Sequence, residues 1–461
     1  MCSSRRILVP LIIASVFVHA LTLLAAYLRT GRIDGYAFAS LDCQEYFAIG
    51  RNVARYRAFS QSKAPPVRPD TWRTPGYPLF LGGMAAVFGD SPAALIVGQQ
   101  VLAGLSVLLV FRIAAGWLSQ RRAAIVSALF LIEPYRLYYS LWLLATTLFT
   151  TVLLVAWWVW ARVAERDRRS VSWYAVLGGL AGLLVLVGPV AIFVPVAIGI
   201  GVTVNELRGA RRGGCGLATA LKKALYPVAL FAVGCTIVVG SWMARNRAVA
   251  GHFALSDQSG VVLAYFKATE VELWRQGRIA ERYLETSLDP ARATWPHGVW
   301  DEIDAHLQDK LFQLPEDQRS ELRWVNLAQG NKTGVDSFEV SKTLGGIGWS
   351  YLWKSPVDTA ACCLVRCASL LTSPMDLALK PPSGVPVERL GWSLKGLVYL
   401  VLCIWVLARL VRGRLTFAAA YFPLACTIAL LLATTPQVDP RFRVPMIPFL
   451  LLVALLPRSV T

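Results

Sequence analysis

The sequence predicts an all-α protein that crosses a membrane about ten times, and three observations point there. Hydrophobic residues make up 56% of the 461-residue chain and charged residues only 16%. With a mean hydropathy of +0.51, the chain is too apolar for an ordinary soluble domain. Apolar runs able to cross a hydrocarbon core of roughly 30 Å as helices recur along most of the sequence. Despite a formal charge of +18, the basic residues gather in short clusters between those runs. That is the pattern of topology signals, and it excludes a nucleic-acid-binding face as their explanation.

The first run, Ile7 to Leu28, follows Arg5 and Arg6 and is longer than the apolar core of a cleaved leader, so it reads as a retained first span. The further spans are Ala93 to Leu118, Ala123 to Glu133, Leu143 to Val163, Val171 to Val187, Val190 to Val204, Ala224 to Met243, Trp392 to Leu410, Phe417 to Thr434 and Val444 to Leu456. This count puts Arg5/Arg6, Arg121/Arg122, the Arg162 to Arg169 cluster, the Arg208 to Lys223 cluster, Arg409 to Arg414 and Arg458 all on one side. The positive-inside rule makes that side cytoplasmic. The expectation is a multi-pass protein of a bacterial inner or plasma membrane, with a site facing the periplasm or cell exterior.

Residues 1–244 then form an N-terminal transmembrane module with a first outer loop at 29–92. Residues 245–391 form an outer cap, and 392–461 supply the last helices. Val357 to Leu371 is read as a helix lying in the membrane plane, because a span there would move Arg409 to Arg414 outside. The cap has a polar middle from Glu270 to Lys342, with helical-looking charged sequence from Asp301 to Trp324. Its Asn331-Lys332-Thr333 fits a glycosylation pattern that short sequences often match by chance.

Two acids stand just beyond the first span, in Asp-Cys-Gln-Glu-Tyr at 42 to 46. A helix beginning near Asp42 sets Asp42, Tyr46, Ile49, Val53 and Tyr56 on one face and Arg51 and Arg55 on another. Two readings of Asp42 stand at this point. It caps the helix, with Glu45 completing a capping box, or it is a carboxylate held at the membrane surface to take a proton from an acceptor hydroxyl or amine. Further on, RTPGYPLF from Arg73 to Phe80 holds two prolines three apart around a glycine. That pattern opposes a regular helix and predicts a turn centred on Pro75 and Gly76, ahead of an apolar stretch, Leu79 to Phe88, too short for a comfortable span. Arg68, Arg73, Arg245, Arg247, Arg441 and Arg443 fall in outer loops, where the orientation rule does not account for them. They point to an anion on that face.

Taken in order, these features resemble a known group. An acid outside the first span with a tyrosine four residues on, an R-x-P-G-Y-P motif in the same loop, a large outer loop after the seventh span, and a closing R-F-x-x-P-x-x-P at Arg441, Phe442, Pro445 and Pro448 are all present. Together they resemble the GT-C superfamily of membrane glycosyltransferases, and within it the branch of protein O-mannosyltransferases and the lipid A aminoarabinose transferase. The resemblance implies an enzyme that moves a hexose or pentose from a polyprenyl-phosphate carrier to a lipid, protein or polysaccharide acceptor on the outer face, and a base on the side of the sugar carbon opposite the phosphate would make that a direct displacement with inversion. It implies Asp42 as the catalytic base with Glu45 beside it. Tyr46, Arg73, Tyr77, Glu133, Arg441 and Arg443 become the substrate-binding set, the arginines holding the carrier phosphate.

The chemistry suits these residue types. Breaking the bond between sugar and phosphate builds negative charge on the phosphate, which fixed guanidinium groups stabilise more in the transition state than in the ground state. Arginine's planar fork matches phosphate. One departure from the family pattern is that its members carry a glutamate at the outer start of the fourth span. Here LLATTLF offers Thr146 and Thr147, and Glu133 is the nearest acid. An inactive scaffold of the same fold is therefore one alternative, and a lipid-linked sugar transporter or flippase is another. Against the transporter stand the lack of an internal repeat and the scarcity of ionisable residues within the spans.

No cofactor motif is present. His19, His252, His297 and His306 lack paired-ligand spacing, and the cysteines lie inside apolar runs or bunch at Cys362, Cys363 and Cys367, which indicates neither a zinc site nor a disulfide framework. The outer-loop acids leave a divalent cation open.

Overall fold

The structure is a computed structural model that describes residues 2–62, 67–164, 171–277, 302, 305, 337–372, 386–411, 417–436 and 439–456. Asn331, most of the polar middle of the cap, and Arg166, Arg168, Arg169, Arg412, Arg414 and Arg458 lie outside the described residues. Among the described residues every regular element is a helix. In chain order they are α1 (Cys2–Thr30), α2 (Leu41–Tyr56), α3 (Gly76–Phe88), α4 (Pro92–Ala114), α5 (Gln120–Leu131), α6 (Pro134–Tyr139), α7 (Thr146–Ala164), α8 (Ser172–Val187), α9 (Val194–Arg212) and α10 (Leu217–Ala250). There follow α11 (259–275, with Val262–Ala268 in π-helical form), α12 (Ser337–Lys354), α13 (Pro356–Thr372), α14 (Pro386–Val411), α15 (Phe417–Thr434) and α16 (Ile447–Leu455). Two 3-10 turns, Pro440–Phe442 and Val444–Met446, lead into α16.

Each apolar segment expected to span coincides with a helix. Five helical stretches are long and apolar enough to cross a membrane: Arg6–Thr30, Pro92–Ala114, Thr146–Ala164, Pro189–Arg212 and Leu217–Ala250. Shorter apolar helices, among them Ser172–Val187 and Ala419–Thr434, pack against these. The 12 residues of α5 reach only about 18 Å. The chain then breaks at Ile132 and Glu133 and continues as α6.

Helix α1 shows how the bundle is sorted. It buries Leu11, Ser15, His19 and Ala26, which share one stripe, and leaves Ile13, Val16, Phe17, Leu24 and Leu28 exposed as a lipid-facing surface. It ends where Gly31 takes a left-handed conformation, φ 73°, and returns its N–H to the Tyr27 carbonyl. At the far side of the bundle, Trp157 stacks against Trp117 and Phe422 and meets Phe449 edge-on, which locks α7 to α15 and α16. Helices α8 and α10 approach through small residues, with Gly178 against the Phe231 carbonyl and Gly234 against that of Ala175.

Two expectations need correction. Helix α2 begins at Leu41 with Ser40 in the N-cap position, so Asp42 is not the cap and the capping box does not form. The side chain of Asp42 is instead committed to arginines from distant segments. Likewise, RTPGYPLF is not a turn centred on Pro75 and Gly76: α3 starts at Gly76, with Pro75 as its N-cap and Pro78 in its first turn. A proline is harmless there, because the first N–H groups of a helix have no partner within it.

The pairing of α2 with α3 is what places the site. Gly50 of α2 faces Leu81 and Gly82 of α3, and a Cβ built on Gly50 would lie 2.8 Å from the Leu81 Cβ. Reciprocally, a Cβ on Gly82 would meet Val53 at 2.8 Å. Gly83, one residue along, has nothing within 4 Å of such an atom. Gly50→Val is expected to lower the melting temperature of the detergent-solubilised protein, at a cost of about 1–3 kcal/mol. Gly83→Ala should leave it unchanged or raise it slightly, and equal effects at the two positions would contradict the close packing.

Candidate active site

The first turns of α2 carry Asp42, Glu45 and Tyr46, spaced to share a face. The segment before α3 delivers Arg73, and the 3-10 turn before α16 delivers Arg441. One oxygen of Asp42 accepts from an Arg73 terminal nitrogen at 2.5 Å, and its other oxygen accepts from Arg441 at 2.9 Å. Arg73 also donates from Nε to Glu45 at 2.6 Å, and its guanidinium lies 5.0 Å above the Tyr46 ring. Arg441 pairs on its Nε side with Asp439 at 2.8 Å. Carboxylates and guanidinium groups thus alternate: Glu45, Arg73, Asp42, Arg441, Asp439.

The two arginines differ in access. The Arg73 side chain is 6% exposed, whereas Arg441 and Asp42 are 23% and 26% exposed. Burial pushes the Asp42 carboxyl up, but the charges of Arg73 and Arg441 and their hydrogen bonds outweigh it and hold the group well below the usual carboxylate range. Burial pulls the Arg441 guanidinium down, and Asp439 and Asp42 more than reverse it.

Behind this row lies a rigid support. Tyr77 is fully buried, meets Tyr46 edge-on at 5.2 Å and donates its hydroxyl to Gln99 at 2.7 Å. Gln99 in turn donates to the carbonyls of Ser140 and Trp142. Arg73 is fixed from its own loop by Asp70, whose carboxylate accepts the Arg73 backbone N–H at 3.0 Å and the Gln61 amide at 2.7 Å. Arg245, one of the unexplained outer-loop arginines, donates to the Asp70 carbonyl and packs over Trp242 and Phe59. From the loop after α10, Gln258 reaches Arg73 at 3.5 Å, and the buried Asp257 collects hydrogen bonds from Thr71, Ser337 and His252.

The sequence-derived residues therefore divide. Asp42, Glu45, Tyr46, Arg73 and Arg441 come together, with Tyr77 directly behind. Glu133 and Arg443 form a second group. Glu133 caps α6 and accepts the Tyr399 hydroxyl, and Arg443, 1% exposed, packs over the rings of Tyr399 and Tyr135. Thr146 and Thr147 are buried and line a cavity of about 10 Å³ with Ser106, Arg136 and Thr150, room for roughly one water. Among the described residues no group of three or more His, Cys, Asp or Glu is placed to hold a metal ion.

Sequence reasoning missed Asp70, Gln258, Asp439 and Tyr399. Asp439 was the most accessible of these, an acid two residues ahead of Arg441. Gln258 and Tyr399 act across long separations that leave no local mark, whereas Asp70 stands only three residues ahead of Arg73.

Comparison with known proteins bears on this geometry. Residues 72–242 match the family model described as dolichyl-phosphate-mannose-protein mannosyltransferase. Over that segment, which holds Arg73 and runs from α3 into α10, the chain is similar to the protein-mannosyltransferase branch of the GT-C glycosyltransferases that its motifs resemble. Asp42 and Arg441 lie outside the matched segment. Similar solved structures include ArnT from Cupriavidus metallidurans bound to undecaprenyl phosphate, at 15% identity and a TM-score of 0.38, covering 95% of this chain and 77% of that one. The arabinosyltransferase EmbB from Mycobacterium smegmatis is similar at 13% identity and a TM-score of 0.35, covering 94% of this chain and 42% of that one. No curated protein matches the sequence.

Asp70 gives the site a pH signature. Burial raises its carboxyl to about 6, with Glu45 adding to the rise and the Arg73 N–H and Gln61 opposing it. A raised carboxyl stabilises the fold fully below the ordinary aspartate range, and that contribution is lost as pH rises to about 6. Asp42 has the opposite sign, since its contribution is present above the ordinary range and disappears as pH falls. Asp70→Asn is therefore expected to raise the melting temperature at pH 7, offsetting up to about 3 kcal/mol, and to do little at pH 4. Thermal scans across pH 4 to 8 check this, and a pH-independent effect would count against it.

Proposed function

We propose that the protein is an integral membrane glycosyltransferase that moves a sugar from a polyprenyl-phosphate carrier to an acceptor on the outer face of the membrane. The single observation that carries this reading is the bridging of Asp42 by Arg73 and Arg441 in a partly open cluster. The match of residues 72–242 to a family described by its dolichyl-phosphate-mannose donor supports the carrier class.

In this reading Asp42 is the base, Arg441 the cation that receives the carrier phosphate, and Arg73 the group that organises both carboxylates of α2. An acceptor O–H gives its proton to Asp42 while its oxygen bonds to the sugar carbon from the side opposite the phosphate. The bond between that carbon and the phosphate oxygen breaks, and its electron pair stays on the phosphate. Charge grows on the phosphate as it leaves, and Arg441 stabilises it.

A carboxylate flanked by two guanidinium groups is ionised at any working pH, yet it is a poor base. The donor itself corrects this. When its phosphate draws the charge of Arg441, Asp42 loses part of what depresses its proton affinity and becomes a better base only with donor in place. Glu45 keeps Arg73 neutralised in the meantime.

Asp42→Asn keeps the size and hydrogen-bonding capacity of the side chain but removes the base. Sugar transfer from a panel of polyprenyl-phosphate sugars, followed by release of the carrier in mass spectrometry, is expected to fall by on the order of 10²- to 10⁴-fold at normal membrane abundance. Transfer at the parental rate would remove Asp42 from the chemistry, and no transfer by the parent protein itself would favour transport or a scaffold.

A further inference from the structure

We propose that Arg443, with Tyr399 and Glu133, is a positioning clamp that fixes the turn at 440–446 and so presents Arg441 to Asp42, and that it does not itself hold the donor phosphate. The inference rests on the reading of Arg441 as the phosphate-facing cation. Arg443 stands two residues from Arg441, but its guanidinium is turned into the protein. Its centre lies 4.0 Å from the Tyr399 ring centroid and 4.5 Å from that of Tyr135. One terminal nitrogen is directed at the carbonyls of Leu370 and Leu371, at 3.4 and 3.3 Å, in the last turn of α13. Being 1% exposed, it presents no surface to a ligand, unlike Arg441.

The contacts of Arg443 join four elements: the turn, α13, α14 and α6. Tyr399 belongs to α14 and donates its hydroxyl to Glu133, whose other oxygen accepts the Arg136 N–H at 2.5 Å and caps α6. Tyr135 lies on α6, and the far end of that helix carries Tyr139, whose hydroxyl reaches Asp439 at 3.5 Å. The turn is braced within its own backbone as well, by Phe442 N–H to the Asp439 carbonyl at 3.0 Å and Met446 N–H to that of Arg443 at 2.8 Å. Arg441 projects from the middle of this braced turn. A guanidinium suits the task because one planar group can lie against aromatic faces while its edge donates to carbonyls, which an ammonium cannot do.

The groups facing Asp42 are Arg73 from the loop before α3, Arg441 from the turn, and Glu45, Tyr46 and Cys43 from α2. Asp439 faces Arg441, and Gln258 faces Arg73. Loosening the clamp leaves all of these in place except the turn. Arg441 then drifts from Asp42, and the acid limb of the pH profile for kcat/KM moves up toward the ordinary aspartate range near 4.

The test compares Arg443→Lys and Tyr399→Phe with the parent, full-length protein in detergent or nanodiscs. Arg443→Lys is expected to lower kcat/KM on the order of 10- to 100-fold, through a lower kcat together with a higher donor KM because the displaced Arg441 carries the phosphate, and to raise the acid limb. Tyr399→Phe keeps a ring over Arg443 and loses only the bond to Glu133, so a smaller change in the same direction is expected. Amide hydrogen exchange of the 440–446 segment is the readout independent of activity, and it should speed up in both variants. A rise in donor KM with kcat, the acid limb and the exchange all unchanged would overturn the clamp and make Arg443 a direct contact of the donor. Were the parent to transfer no sugar, the functional reading would fail while exchange still decided the clamp, unchanged protection of 440–446 overturning it.

Discussion

The arrangement depends on one electrostatic constraint: a carboxylate on a surface helix is held by two guanidinium groups that arrive from opposite ends of the chain. Asp42 and Arg441 are separated by 399 positions and meet at 2.9 Å. Separating them would leave each half-buried charge with one partner instead of two, so the segments that carry them are favoured together. Much of the architecture around the site serves that end. Helix α2 is pressed onto α3 by facing glycines, Arg73 is clasped by Asp70 at its backbone and by Glu45 at its side chain, and the turn before α16 is braced from three sides.

The surrounding bundle supplies rigidity by means suited to an apolar solvent. Lipid gives helices no hydrophobic reason to associate, so close packing and internal hydrogen bonds do the work. Small residues let α8 and α10 approach to backbone contact. Between α1, α4 and α6, a polar seam joins His19, Gln100, Ser140 and Arg136. Gln99 and Gln100, adjacent on α4, send their amides to the same Ser140 carbonyl, and Gln99 also receives Tyr77. The interior polar network and the site therefore meet at Tyr77, whose hydroxyl is held by Gln99 and whose ring packs edge-on against Tyr46, the ring beneath Arg73.

Hydropathy made the helices legible, because a segment that must satisfy its backbone in lipid has little choice of conformation. Asp42, Arg73 and Arg441 were legible too, as charged residues with no orientation role. What stayed hidden was of two kinds. Local rules misjudged the helix starts: Asp42 has the composition of an N-cap, but the N-cap is Ser40, two residues earlier, and the Asp42 carboxylate is engaged by distant arginines. RTPGYPLF looks like a turn, yet its prolines fall where a helix tolerates them. The second kind is long-range. Tyr399 and Glu133 are 266 positions apart, and Thr71 and Asp257 are 186 apart. A buried tyrosine in an apolar run looks the same whether or not its hydroxyl has a carboxylate to meet.

The unequal exposure of the two arginines bears on how such a site could change state. Arg73 has Asp42, Glu45, Gln258 and the face of Tyr46 around it and is 6% exposed. Arg441 sits between two carboxylates that are themselves partly exposed, so a phosphate approaching from solvent competes for its edge at lower desolvation cost. Under the proposed function, exchange at Arg441 alters the charge felt by Asp42 while Arg73 keeps the carboxylate in place. Arg73 thus both holds Asp42 in place and contributes most to its low proton affinity, while Arg441, the more exposed of the two, supplies the remainder.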